Sequence, residues 1–440
     1  MTTTPDAPDA LQSTEISGPL SPERLPALRR RIQAVLITTQ ILGGLGIATG
    51  VALAAVLAKE VSGTEALSGL ASTASVAGPA LLAMPLASLM STRGRRAGLV
   101  LAYLVGAVGA GVAVLGAVLD SFPVLLVGLV GFGAGSSANL AARFAAADLA
   151  EPDRRARSIS TVVWATTIGA VLGPNIAAPA GESVAGLGIP VAAGPFVWAS
   201  GVFVISALVV ALLLRPDPLL TARALAGPEG DAAAEGRSLK AGLRAVRESS
   251  RAKLALVTVA GSHTAMVSIM SMTPVALSHH GADIRLIGLV ISGHIAGMYA
   301  FSPVMGWLSD RLGRLSVIGL AVALIAVAAL LAGTAGPSHG QTALGLFVLG
   351  LGWSAGLVSG SALLTDSVPQ AARAAVQGLS DFIMNTAAGV GGLAAGLIVS
   401  TVGYGWLNAV GACLLVPMAL LALRGAVRRD AVRRDAVRRA

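Results

Sequence analysis

Within the apolar stretch 372–400, Gln377, Asp381 and Asn385 recur every four residues. On a helix they form one polar stripe, and Asp381 is the acid that lies well inside such a stretch. An ionisable group at membrane depth is costly and therefore a functional candidate. A carboxyl group kept from water favours its neutral form until the site is wetted, which suits the loading and unloading of protons. The alternative is a carboxylate paired with a cation that holds helices together. Asn139 and Arg143 stand one turn apart in the stretch 122–147. Arg143 has three readings: an anion-binding group, a partner for Asp381, or a side chain reaching for the membrane surface. His263 and His294 fall midway along two further stretches. Imidazole titrates near neutrality, so each is a candidate proton relay, and each is equally a hydrogen-bonded packing residue. His279, His280 and Asp283 share a loop without a Cys or a carboxylate cluster, so no metal site is expected.

These residues are carried by long apolar segments. The chain of 440 residues is 55% hydrophobic and 12% charged, with 54 Gly and a mean hydropathy of +0.78. Crossing a bilayer core of roughly 30 Å takes about 20 apolar residues in a helix. Apolar windows give twelve spans near 32–58, 65–90, 97–119, 122–147, 158–180, 191–214, 252–278, 284–308, 315–335, 341–365, 372–400 and 402–423. Their continuity excludes the alternating pattern of a transmembrane barrel, so an all-α integral membrane protein is expected. The net charge is +9, and all of the 31 Lys and Arg except Lys59 and Arg285 fall in alternate loops, the tails and the inner end of span four. That bias predicts a multi-pass plasma-membrane protein with both termini cytoplasmic and anionic lipid, rather than nucleic acid, beside the basic loops.

A polar tail, 1–31, precedes the first bundle, 32–214; a linker, 215–251, leads to the second, 252–423, and a basic tail, 424–440, repeats Ala-Val-Arg-Arg. The linker places Leu239, Leu243 and Val246 opposite Arg237, Lys240, Arg244 and Arg247, the pattern of an interfacial amphipathic helix or of a solvated linker. Cys413 is expected to be a small packing residue.

The two sets of six spans look duplicated. Ser91-Thr-Arg-Gly-Arg-Arg96 is matched 219 positions later by Asp310-Arg311-Leu-Gly313-Arg314. Asp148 precedes Arg155 by seven residues and Asp366 precedes Arg373 by seven, an offset of 218 that also superposes Gly173 on Gly391. Related six-span halves are the architecture of many secondary transporters, with a site near the membrane midplane exposed alternately to each side.

The run Gly306-Trp-Leu-Ser-Asp310-Arg311-Leu-Gly313-Arg314 resembles the signature loop of the major facilitator superfamily, and it stands between spans eight and nine, where that loop recurs. The first copy departs from it, with Ala87 for Gly, Ser91 for Asp and Thr92 for Arg. Gly169, Gly173 and Pro174, followed by Ala177 and Ala178, resemble the antiporter signature of the twelve-helix drug:proton antiporters; glycines four apart also serve plain helix packing. Leu129 stands where a further signature has Arg.

The resemblance implies two pseudo-symmetric six-helix bundles and proton coupling. It also implies a cytoplasmic latch of Gly306, Asp310, Arg311, Gly313, Arg314, Asp148, Arg155, Asp366 and Arg373. Cavity candidates on the helices that line the family's cavity are Gln40, Asn139, Arg143, Thr264, Ser268, Ser354, Gln377 and Asn385. Proton-coupling candidates are Asp381, His294 and His263. No nucleotide-binding loop or hydrolase motif occurs, so neither an enzyme nor a cofactor is expected. The expected activity is efflux of small lipophilic or amphipathic compounds by a monomer. Import or uniport of a small metabolite, and a transport-inactive sensor or scaffold, are the alternatives.

Overall fold

The computed structural model describes residues 24–64, 67–226, 239–282 and 284–421. No strand occurs among them. In chain order the helices are α1 (Leu25–Ser62), α2 (Ser68–Val118), α3 (Phe122–Ala134), α4 (Ser136–Asp148), α5 (Arg155–Val184), α6 (Gly194–Leu213), α7 (Pro218–Leu225) and α8 (Leu239–Glu248). They continue as α9 (Ser250–His279), α10 (Ile284–Tyr299), α11 (Ser302–Leu312), α12 (Arg314–Gly333), α13 (His339–Asp366), α14 (Arg373–Val402) and α15 (Tyr404–Cys413).

Ten stretches among the described residues are long and apolar enough to cross a membrane, and the bent pair Pro152–Gly173 and Asn175–Leu187 makes eleven. One of them, Thr73–Val118, has 46 residues, twice what a bilayer needs. It breaks at Gly94, with φ 86° and ψ 175°, and so holds the second and third spans of the sequence reading. Gly313, 219 residues on, adopts φ 91° and ψ 152° between α11 and α12. An L side chain is strained at such angles, so the two glycines mark the same turn in both halves.

Helices α1 to α6 pack on one another, as do α9 to α15, and α14 against α2 and α5 against α11 join the two bundles. Glycine makes the close approaches inside the first bundle. A Cβ at Gly109 would lie 2.1 Å from the Phe132 backbone nitrogen, and one at Gly133 would lie 1.9 Å from the Ser75 carbonyl. Lipid offers apolar side chains no advantage in meeting each other, so close backbone packing has to hold such helices together. The outward faces remain apolar: Val108, Leu330 and Leu397 are largely exposed.

Helix α8 packs on α14 and α9 rather than lying free, with Val246 buried and Gly242 against Ala375 and Val376. Leu243 and the basic side chains stay exposed. Arg237, Asp283, residues 1–23 of the first tail and the whole basic tail lie outside the described residues, while the last residues of the first tail already belong to α1.

Candidate functional site

The polar contacts between bundles gather at the end formed by the α4–α5 turn, Gly94 and Gly313, here called the basic end. Arg95 donates to both oxygens of Asp148 at 2.7 and 3.2 Å, in a pair fully shielded from solvent, and crosses the interface to Gln377. Its repeat counterpart Arg314 donates to Asp366 at 3.2 Å, to Asp310 and to the Pro152 carbonyl at 2.8 Å. Arg155 reaches Asp366 across the interface.

Asp310 accepts the backbone N–H groups of Ala156 at 3.1 Å and Arg157 at 2.9 Å. A carboxylate from α11 thus caps the first turn of α5 in the other bundle, where orphan donors and the helix dipole favour negative charge. The first copy lacks this cap. Ser91 turns its hydroxyl to the Ser88 carbonyl at 2.7 Å. Asp217 instead receives the Arg96 N–H at 2.7 Å while capping α7, a tie that stays within the first bundle.

Two expected latch residues behave differently. Arg311 is exposed and stacks on Trp307, 5.2 Å from the ring centre, so the cross-bundle arginine of this loop is Arg314. Arg373 donates to Gln370 one turn away, a long bond at 3.4 Å.

The departure at Ala87 has a structural counterpart. Gly306 lies against Ser160, where a Cβ would come within 2.1 Å of the hydroxyl and 2.8 Å of the Ala156 carbonyl. At the other crossing Ala87 lies against Gly378, where a Cβ would come within 2.0 Å of the Ala87 methyl. Offsets of 219 and 218 relate Gly306 to Ala87 and Ser160 to Gly378, so the glycine has changed helices while the crossing stays close.

Deeper in the interface, Arg143 on α4 donates to Asp381 on α14 at 2.5 Å and to Ser361 on α13 at 3.2 Å. The side chains are 2% and 11% exposed. The guanidinium carbon sits 4.5 Å from the Phe144 ring centre, and Nη1 is buried without a hydrogen-bond partner. The stripe on α14 therefore divides its work. Gln377 meets Arg95, Asp381 meets Arg143, and Asn385 donates to the Asp381 carbonyl at 2.7 Å. Between the first two pairs a cavity of about 20 Å³ is lined by Arg95, Gln377, Asp381 and Ser137, room for about one water.

Beyond Asn385 the stripe reaches Gly389, where an added Cβ would meet nothing within 4 Å. Val171, its repeat counterpart on α5, is 56% exposed. The polar ties between the bundles thus lie at the basic end and at the Arg143–Asp381 pair, and none lies at the level of Gly389 and Val171 among the described residues.

The other candidates have partners on neighbouring helices or sit in bundle packing. Gln40 donates to Thr166 at 2.7 Å and keeps a buried Oε1 without a partner. Asn139 is held by Tyr103, whose hydroxyl lies 3.0 Å from its Oδ1 and 2.9 Å from the Thr39 carbonyl. The Trp353 indole donates to His263 Nδ1 at 2.9 Å; an indole only donates, so the imidazole carries its proton on Nε2. Tyr299 packs edge-on against Trp353 at 5.4 Å.

His294 is fully buried with Nδ1 2.7 Å from the Leu346 carbonyl, a contact inside the second bundle. Thr264 and Ser268 fill the notch at Gly391, and Ser354 is wholly buried, so these three sit in packing. Gly169 and Gly173 press on α1, where each Cβ would meet Leu45 nitrogen or the Ala48 methyl at 2.4 Å. Their crossing lies within the first bundle, and α5 bends by 54° at the Pro174 position just beyond it. No cluster of three or more His, Cys, Asp or Glu suited to a metal occurs among the described residues.

Comparison with known proteins agrees with this architecture. The chain matches the Major Facilitator Superfamily over residues 35–283 and again over 254–439. It is 37% identical over 407 residues to the MFS-type transporter YdeG of Bacillus subtilis (strain 168), covering 91% of this chain and 94% of YdeG. It is 29% identical over 398 residues to the riboflavin transporter RfnT of Brucella anthropi, covering 90% and 96%. The crystal structure of the human organic anion transporter MFSD10 superposes with a TM-score of 0.70 at 17% identity over 90% of this chain and 99% of that one. The protein is a multi-span membrane transporter of the major facilitator superfamily.

Proposed function

We propose that the protein is a proton-coupled carrier that exports small lipophilic or amphipathic compounds across the plasma membrane by alternating access. The observation that carries this reading is the Arg143–Asp381 ion pair, made at depth by one residue from each bundle. Protonating Asp381 removes the charge that holds Arg143, so proton uptake loosens a contact that keeps the basic end shut. The remaining ties, Asp310 on the first turn of α5, Arg155 on Asp366 and Arg314 on the Pro152 carbonyl, act as the latch of the same end. Positive charge concentrated there supports a cytoplasmic basic end with both termini inside, so that the end tied here is the inner one. In this reading the bundles 32–214 and 252–423 pivot about the linker 215–251, the monomer being the working unit and anionic lipids meeting the basic loops.

Reconstitution with a panel of lipophilic dyes tests it. An imposed proton gradient should drive dye movement that an uncoupler abolishes and that Asp381→Asn lacks. Movement indifferent to both would contradict proton coupling at Asp381. A second reading, uptake of a small metabolite through the same cavity, is supported by the likeness to a relative named a riboflavin transporter; gradient-driven accumulation of riboflavin with no dye efflux would favour it.

A further inference from the structure

Arg143 is paired in this structure, yet its place in the fold means that the pair cannot survive opening. It stands on α4 in the first bundle, Asp381 and Ser361 stand on α14 and α13 in the second, and both of its hydrogen bonds cross the interface. When the basic end opens, the guanidinium loses both partners at once. A second observation points the same way: Nη1 is already buried without a hydrogen-bond partner among the described residues, so this arginine offers a donor that none of them uses. A guanidinium freed on Nε, Nη1 and Nη2 presents the planar fork that takes a carboxylate or phosphate by two parallel bonds. Around the pair, Arg95 lines the small cavity beside Asp381, and His263, whose Nδ1 accepts from Trp353, feels the Arg143 charge; neither offers a negative charge.

We infer that Arg143 is the anion-binding residue of the transport site: with the basic end open it takes the carboxylate or phosphate group of an amphipathic substrate in the place that Asp381 holds when that end is shut. This rests on the alternating-access reading above and adds the substrate's charge. It also supplies a release step. As the bundles close at the basic end, Asp381 returns to Arg143 and competes with the bound anion, which is then left facing the open side.

A binding experiment without a gradient separates this inference from the transport assay. The full chain carrying Asp381→Asn, purified in detergent, holds Arg143 without its counter-charge. Benzoate and phenyl phosphate should raise its thermal midpoint, benzamide at the same concentration should not, and Arg143→Gln combined with Asp381→Asn should abolish the response. Equal shifts with benzoate and benzamide, or an undiminished response in the double variant, would overturn the inference. The otherwise native chain bearing Cys413→Ser and the buried reporter Ser309→Cys gives a second readout independent of those variants' folding. Benzoate should speed thiol labelling at position 309 by trapping the open basic end, and a rate identical with benzoate and benzamide would count against an anion site.

Discussion

At the scale of single residues, the two buried arginine pairs do different work. Arg95 and Asp148 lie in the same bundle and remain together in any rigid-body motion, whereas Arg143 and Asp381 lie in different bundles. Removing one member of a buried pair leaves an uncompensated charge and costs about 3–5 kcal/mol, while removing both costs much less. Asp148→Asn should therefore lower the thermal midpoint sharply, since Arg95 is almost wholly buried and would keep only the neutral Gln377 as an oxygen partner. Arg143→Gln should be less stable than Arg143→Gln with Asp381→Asn, a non-additivity that thermal unfolding of the four proteins measures directly. Asp381 was legible in the sequence because a lone acid in an apolar stretch stands out. Its partner was one of three readings, since which arginine meets it depends on how α4 and α14 cross. Tyr103 and Trp353 carried no signal, because an isolated aromatic in an apolar run looks like any other packing residue until its polar end finds Asn139 or His263. Arg311, expected in the latch, makes no cross-bundle contact among the described residues for a geometric reason: α11 ends at Leu312, so its guanidinium lies over Trp307 of its own helix while Arg314 opens the next one.

At the scale of helices, the two crossings that join the bundles use one small-residue solution with the partners exchanged. A Cβ added at Gly378 overlaps the Ala87 methyl, so Gly378→Ala should wedge α2 from α14 and weaken closure at the basic end. Ala87→Gly in the same chain should restore it. The cycle should show a coupling of about 0.5–3 kcal/mol in the equilibrium between closed and open forms, read by thiol accessibility of the reporter at 309. Independent, additive effects would mean that this contact does not limit closure. The degraded first copy of the loop was visible in the sequence, and the compensating Gly378 was not, because only the crossing of α2 on α14 brings residues 87 and 378 together. The second and third spans were likewise legible as separate apolar windows, while their union into one long helical run with a break at Gly94 is a property of the folded turn. The glycines of the antiporter-like motif were legible as a packing face, and their partner α1, rather than the second bundle, follows from α5 lying between α1 and α11.

At the scale of the whole molecule, the closed end is the one with the charges. Asp310, Arg314, Asp366, Arg155, Arg95 and Gln377 tie the bundles there, while the Cβ position of Gly389 and the side chain of Val171, beyond the Arg143–Asp381 pair, are uncovered. One bundle was legible as a copy of the other from the matched Gly94 and Gly313, and both glycines take the same rare backbone angles. The latch itself is asymmetric: Asp310 caps α5 across the interface, whereas Ser91 turns its shorter side chain to the Ser88 carbonyl of its own helix. Asp310→Asn should thus loosen the α5–α11 side, raising labelling at position 309 to a greater extent than Ser91→Ala does on the α2–α14 side. Thiol accessibility in a Cys413→Ser chain with reporters at Gly389→Cys and Ser309→Cys, measured with and without Asp381→Asn, tests the role of the Arg143–Asp381 pair most directly. With Asp381 present, position 389 should label freely and position 309 should be protected; with Asn at 381, labelling at 309 should rise and labelling at 389 should fall. The same labelling pattern with Asp and Asn at 381 would contradict a charge pair that controls which end of the protein is open.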